Sequence, residues 1–278
     1  MVVSRFPELA GGTFTLLSDG WDSVAVDVDD RLIFKFPRHP RGAEALRREA
    51  AILDVVGPAV SMTVTALELF EEPALLSRHA KIAGEHLLAS HYGQLGEPER
   101  QQLGEALGLF YAQIHALPIA DAKAAGALPV DAFWPSEAIS RHIAPVLPEH
   151  LKPWSEQVLT RWAALSPDPH GEVYGFFDGH GWNMAFDHEA GRLNGVYDFA
   201  DSGIGPLHQD FIYSSMISAD LTERIIAAYE ALTGHSIERD RVDLLTGVHR
   251  LWELAAEAHL PDHVPALVAS IEAWALRP

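Results

Sequence analysis

The sequence predicts an α+β fold in two lobes, a small β-rich lobe over residues 1–79 and a larger helical lobe over 80–278. Three observations predict it. Short, partly β-branched apolar runs crowd into the first 79 residues. From about Glu97 onward the apolar spacing becomes helical. The chain has 278 residues, 48% of them hydrophobic, which is enough to bury a sizeable core in one large domain or two lobes.

In chain order, TFTLL (13–17), SVAVDV (23–28) and RLIFKF (31–36) read as strands, with Asp29-Asp30 as the tight turn between the last two. Residues 42–57 have helical periodicity, with Leu46, Ala50, Leu53 and Val56 on one side and Gly57-Pro58 as the stop. Strand composition returns at 64–70 and 74–79. The second lobe opens on a helix carrying Leu103, Leu107, Phe110, Ile114 and Leu117. The stretch 119–170, richer in Pro and Ala, is expected to hold one or two helices. YGFF (174–177) and NMAFD (183–187) read as short strands around a loop, and Gly191 turns the chain back into LNGVYD (193–198). Helices follow at 221–234, 241–260 and 264–276. No repeat or low-complexity linker interrupts this plan.

Composition narrows the function. A net charge of −19 argues against nucleic acid as a partner, because phosphate backbones need clustered Lys and Arg. No apolar run approaches the ~18 residues of a membrane span. The N-terminus lacks the apolar core of a signal peptide, and a cytoplasmic location is expected. Without cysteine there is no thiolate nucleophile and no cysteine zinc site. The acidity is uneven: net −6 over residues 1–129 and −13 over 130–278. An acidic second half favours a cationic partner through long-range steering.

The residues that can carry chemistry gather in VYGFFDGHGWNMAF and GVYDFADSGIG. Asn183 follows Asp178 by five residues, and Asp198 follows Asn183 by 15. A carboxylate placed to take a proton from a hydroxyl, an amide oxygen and a second carboxylate together make a base and a Mg²⁺ clamp, since Mg²⁺ prefers hard oxygen ligands. Phosphoryl transfer asks little else of a protein beyond positioning and charge stabilisation. Upstream, Lys35 is an odd residue for the centre of the strand IFKFP.

These stretches resemble the aminoglycoside phosphotransferase and choline kinase-like family, whose catalytic loop is usually written HGDxHxxN. Asp178, His180 and Asn183 match its Asp, second His and Asn. Asp198 matches the later metal-binding Asp, and Phe176-Phe177 stand where His-Gly is usual. The resemblance implies a protein-kinase-like fold with Asp178 as catalytic base, Asn183 and Asp198 on the metal, His180 bracing the loop and Asp210 supporting it. It implies that Lys35 holds the nucleotide α- and β-phosphates and pairs with Glu49 in the following helix, Glu44 being the competing partner. The loop Ser18–Ser23, with Gly20 at its centre, resembles the family's short nucleotide loop. Backbone groups around Ser77–Ala80, which include His79, would read the base. Asp201, Glu253, Glu257 and Asp262 are candidates for the acceptor, Glu253 and Glu257 sharing one helix face.

The implied function is phosphorylation, by ATP or GTP with Mg²⁺, of a hydroxyl on an amine-bearing small molecule, with an aminoglycoside as the leading class. Choline-like, sugar, macrolide and homoserine-like acceptors stay open, because the fold does not determine the acceptor. The competing readings are a nucleotide-binding pseudokinase, suggested by Phe176-Phe177, and a metal-dependent hydrolase, which would need more carboxylate or His ligands.

Overall fold

The computed structural model describes residues 2–17 and 22–277. A short helix α1 (Val2–Arg5) precedes strands β1 (Phe14–Leu17), β2 (Ser23–Val28) and β3 (Leu32–Pro37). Helix α2 (Pro40–Val56) follows, then β4 (Glu68–Phe70) and β5 (Leu76–Ala80). The five strands form one antiparallel sheet in the order β1-β2-β3-β5-β4. Asp29 and Asp30 both have positive φ, 56° and 57°, the backbone of a hairpin turn whose twist matches its strands. Asp tolerates this conformation better than most residues. The His39 side chain accepts from Gly42 N and caps α2, and Pro40 occupies its first turn, where no N–H is needed.

The second lobe holds α3 (Ala89–Tyr92), α4 (Glu97–His115), α5 (Ile119–Ala124), α6 (Ser136–Ile143) and α7 (Lys152–Ala163). Four short strands come next: β6 (Glu172–Gly175), β7 (Met184–Asp187), β8 (Arg192–Val196) and β9 (Gly203–Pro206). Helices α8 (Leu207–Asp210), α9 (Ala219–Thr233), α10 (Arg239–Glu257) and α11 (Val264–Ala275) complete the lobe. β7 pairs with β8, and β6 with β9, both antiparallel. The main core joins α4, α9, the β6–β9 region and the inner face of α2 through Leu53, Phe110, Phe176, Val196 and Ile225. A second core lies between α6, α7, α10 and α11, and a third lies under the sheet around Phe6, Phe34 and Leu76.

Three expectations change. Only residues 68–70 of the run 64–70 are strand; Val64 instead bridges to Val196, drawn to the second lobe. The stretch 119–170 holds three helices rather than one or two, and α6 and α7 each have a proline at or beside their first residue. β9 was not anticipated, since Gly-Ile-Gly-Pro has little strand composition and its pairing comes from β6, about 30 residues upstream. Among the described residues no helix is long and apolar enough to cross a membrane.

Candidate active site

Lys35 lies on β3, in register with Ala25 on one side and Ser77 on the other. Its Nζ is 3.1 Å from Glu49 Oε1, 3.3 Å from Glu49 Oε2 and 3.1 Å from Asp198 Oδ1. Glu49 is buried in the core-facing side of α2, whereas Glu44 is exposed, which settles the choice of partner. Burial works to lower the Lys35 pKa, but the charges of Glu49 and Asp198 outweigh it and hold the ammonium above its usual value. Glu49 Oε1 also accepts from Phe199 N at 3.2 Å. One carboxylate therefore ties strand, helix and the loop after β8 together. Asp198 has φ 66°, a left-handed conformation that turns the chain out of β8 and presents a half-exposed carboxylate.

The loop between β6 and β7 is braced from beneath. Phe176 N and Phe177 N donate to Asp210 Oδ2 and Oδ1 at 2.9 and 2.5 Å, and His115 Nε2 lies 2.9 Å from Oδ2. Asp210 is fully buried, so these partners satisfy a carboxylate that water cannot reach. Phe176 packs against Phe199 and Phe110, with ring centroids 4.7 and 5.7 Å apart. Phe176 and Phe177 are thus core residues whose main chain still holds the loop. Gly181 is required by close approach: a Cβ there would sit 1.8 Å from the Leu87 carbonyl oxygen.

At the top of the loop both oxygens of Asp178 are held. Asn183 Nδ2 donates to Oδ2 at 2.6 Å and to the Asp178 carbonyl at 3.0 Å, and His180 Nε2 lies 3.1 Å from Oδ1. Burial works to lower the His180 pKa, but the Asp178 carboxylate outweighs it and raises the imidazole above its usual value. Because the Asn183 amide nitrogen faces Asp178, its oxygen is the end left for a cation.

The four acceptor candidates separate. The Glu253 side chain is 27% exposed and its Oε2 lies 3.5 Å from His249 Nδ1. Burial pushes the Glu253 carboxyl up to about 7; Arg250 opposes this, and the fields of His180 and Asp178 reach it. His249 is pushed down to about 3 by burial and is neutral. Asp201 is exposed after β8, and desolvation followed by the charges of Asp178 and Asp198 pushes its carboxyl up to about 6. Glu257 instead pairs with His263 Nδ1 at 2.7 Å, and Asp262 is exposed in the turn between α10 and α11. Neither is tied to Asp178 by a contact.

Ser77 and His79 are buried residues of β5, which lies between β3 and β4. Their backbone is paired within the sheet, Ser77 opposite Lys35 and Leu69, and His79 opposite Ile33. Their side chains share the sheet face of Lys35, and Ser77 Oγ is buried without a hydrogen-bond partner among the described residues. Ser18 and Gly20 lie outside the described residues. Sequence reasoning missed His115, 95 residues from the Asp210 it touches, and also His249. His249 carried a usable signal, since it precedes Glu253 by four on one helix. Among the described residues there is no group of three or more His, Cys, Asp or Glu that could hold a metal ion.

The model of the phosphotransferase enzyme family (APH) matches residues 13–245. The chain belongs to this family. As a phosphotransferase it has close structural neighbours. It superposes on the GDP complex of an aminoglycoside 2'-phosphotransferase-IIIa mutant with a TM-score of 0.83, at 19% identity, covering 99% of this chain and 95% of that one. A macrolide 2'-phosphotransferase from Brachybacterium faecium gives 0.70 at 18% identity, with 97% and 96% covered. The ternary complex of an aminoglycoside phosphotransferase with streptomycin and ATP gives 0.66 at 17%, with 99% and 98% covered. No curated protein matches the chain. These identities establish the two-lobed, kinase-like fold of this phosphotransferase and leave its substrates to the chemistry of the site.

Proposed function

We propose that this phosphotransferase transfers the γ-phosphate of ATP or GTP to a hydroxyl of an amine-bearing small molecule, aminoglycoside-like in class. What supports the reading is that Lys35 Nζ contacts both Glu49 and Asp198, that both oxygens of Asp178 are held by Asn183 and His180, and that the charge of Asp178 reaches both Glu253 and Asp201. The neighbours with GDP, ATP and aminoglycosides in the same fold support it.

Residues 1–79 form the nucleotide lobe in this reading, with Lys35 on the α- and β-phosphates as a compact point charge. Residues 80–278 supply the catalytic loop and the acceptor wall. Asp178 orients the acceptor hydroxyl and takes its proton as the oxygen bonds to the γ-phosphorus and the bond to the β–γ bridging oxygen breaks. His180 and Asn183 fix the carboxylate that does this, and near-attack geometry is what such positioning supplies. Asn183 Oδ1 and Asp198 would hold a Mg²⁺ ion, which would supply positive charge to offset that of the phosphates. Glu253 and Asp201 attract the ammonium groups of the acceptor.

The pseudokinase reading starts from Phe176-Phe177. Both phenylalanine N–H groups reach Asp210, and Lys35, Asp178, Asn183 and Asp198 are all retained, which favours the enzyme. The test is a panel of aminoglycosides, amino alcohols and neutral sugars, incubated with protein, Mg²⁺ and ATP or GTP, with phosphorylated product read by mass spectrometry. The reading expects product with an amine-bearing member. Product only with neutral sugars would replace the acceptor class, and product with none would favour the pseudokinase.

A further inference from the structure

A cleft of about 230 Å³ opens between α7, α10 and α11, its lining including neither His249 nor Glu253 of α10. Trp154, Arg161, Gly247, Trp274 and Arg277 are among the residues that line it. Trp154, Val158 and Arg161 recur at four and three residues along α7 and so share one face. Seven residues at 1.5 Å each separate Trp154 from Arg161 by roughly 10 Å.

The cleft's other guanidinium and its carboxylate, Arg277 and Asp243, are already engaged with each other. The Arg277 guanidinium stacks over Trp274, 3.5 Å from the ring centroid, and is paired with Asp243. Arg250 approaches the same ring at 5.1 Å. Trp154 has no aromatic or cationic stacking partner among the described residues. Arg161 is exposed and has no hydrogen bond or ion pair among them, in a chain with 39 acidic residues to offer one.

Gly247 gives an independent indication. A glycine inside a helix is less favourable than alanine. A Cβ at Gly247 would meet Trp154 Cζ2 and Val158 Cγ1 no closer than 3.4 Å, an ordinary contact, so packing does not demand glycine there. Its absence of a side chain keeps the cleft open at the edge of Trp154.

We propose that this cleft is a second binding site, for a small planar aromatic carboxylate whose ring stacks on Trp154 and whose carboxylate pairs with Arg161. Arg offers a planar fork that suits a carboxylate, and the cleft volume, below that of drug-sized pockets, suits a single ring with a short acidic tail. The overall negative charge repels anions in general, so an anion held here is held by Arg161 itself.

The probe is 3-phenylpropanoate, titrated into the full chain, with its neutral amide as control. Binding is followed by the indole N–H signals of the tryptophans and by calorimetry. The proposal expects saturable binding of the acid, at least about tenfold weaker binding of the amide, and a similar loss in Arg161→Gln. Gly247→Ala should weaken binding while leaving the protein as stable as before or more so, which separates an occupied cleft from a damaged fold. Equal binding of acid and amide, indifference to Arg161→Gln, or no saturable binding of the acid would overturn it.

Discussion

At the residue scale, the account rests on which atoms are left free once the protein has met its own needs. Asp198 Oδ1 accepts from Lys35, and the Asn183 amide nitrogen donates to Asp178, so Asp198 Oδ2 and Asn183 Oδ1 are each left without a hydrogen-bond partner among the described residues. Asp198→Ala should abolish Mg²⁺-supported turnover. Asp198→Asn is the better-folded probe, because Asn tolerates the left-handed φ of 66°. Near-normal turnover with unchanged Mg²⁺ dependence in both variants would remove Asp198 from the metal. Glu253 makes a pH prediction. Its carboxyl is pushed up to about 7 in the folded protein against an ordinary value of 4.5, so between these limits the folded state binds more protons than the unfolded one. Stability then falls as pH rises through that window. Thermal unfolding across pH 5–8 should show the wild type losing ground to Glu253→Gln as pH rises, and parallel curves would contradict the partly buried position given to Glu253. The same titration makes the KM for a cationic acceptor rise as pH falls below about 7. Asp178, Asn183 and Asp198 were legible in the sequence because loop chemistry keeps them close in the chain. The sorting of Glu253 from Glu257 and Asp262 was not, since helical spacing gives a shared face but not which residue looks into the cleft.

At the element scale, two buried carboxylates join segments that sequence reading could only place side by side. Glu49 links β3, α2 and the loop after β8. Lys35→Ala leaves that carboxylate buried and unpaired, and should cost about 3 kcal/mol or more in chemical denaturation. The double variant Lys35→Met with Glu49→Leu should cost less than the two single changes added together. Additive losses would mean that the pair is not coupled. Asp210 does the same for the catalytic loop and α4. Asp210→Ala strands the Phe176 and Phe177 N–H groups and the His115 ring in the core, and should cost roughly 3 kcal/mol or more. The periodic helices and the β2–β3 hairpin were readable because their signals are local. β9 and the His115–Asp210 contact were not, because each depends on a partner about 30 or 95 residues away.

At the scale of the whole molecule, the charge of −19 and its excess in the second half bear on the acceptor. Attraction between unit charges about 4 Å apart is worth about 1 kcal/mol in water and about 4 in a partly screened cleft. Glu253→Lys should therefore raise the KM for a cationic acceptor at least about tenfold and leave the nucleotide KM almost unchanged. The effect should shrink with added salt, since exposed charges are screened beyond about 8–10 Å. A KM indifferent to Glu253 and to salt would make the acidity a solubility feature. The central claim is narrower: this cleft moves a phosphoryl group to a hydroxyl held by Asp178. The most direct test is transfer of label from γ-labelled ATP or GTP to an amine-bearing acceptor, comparing wild type with Asp178→Ala at matched nucleotide occupancy. The account predicts labelled acceptor from the wild type and a loss of about 10²–10⁴ in rate for the variant, the range of a general base, with nucleotide still bound. Transfer that survives Asp178→Ala at a near-normal rate would contradict it.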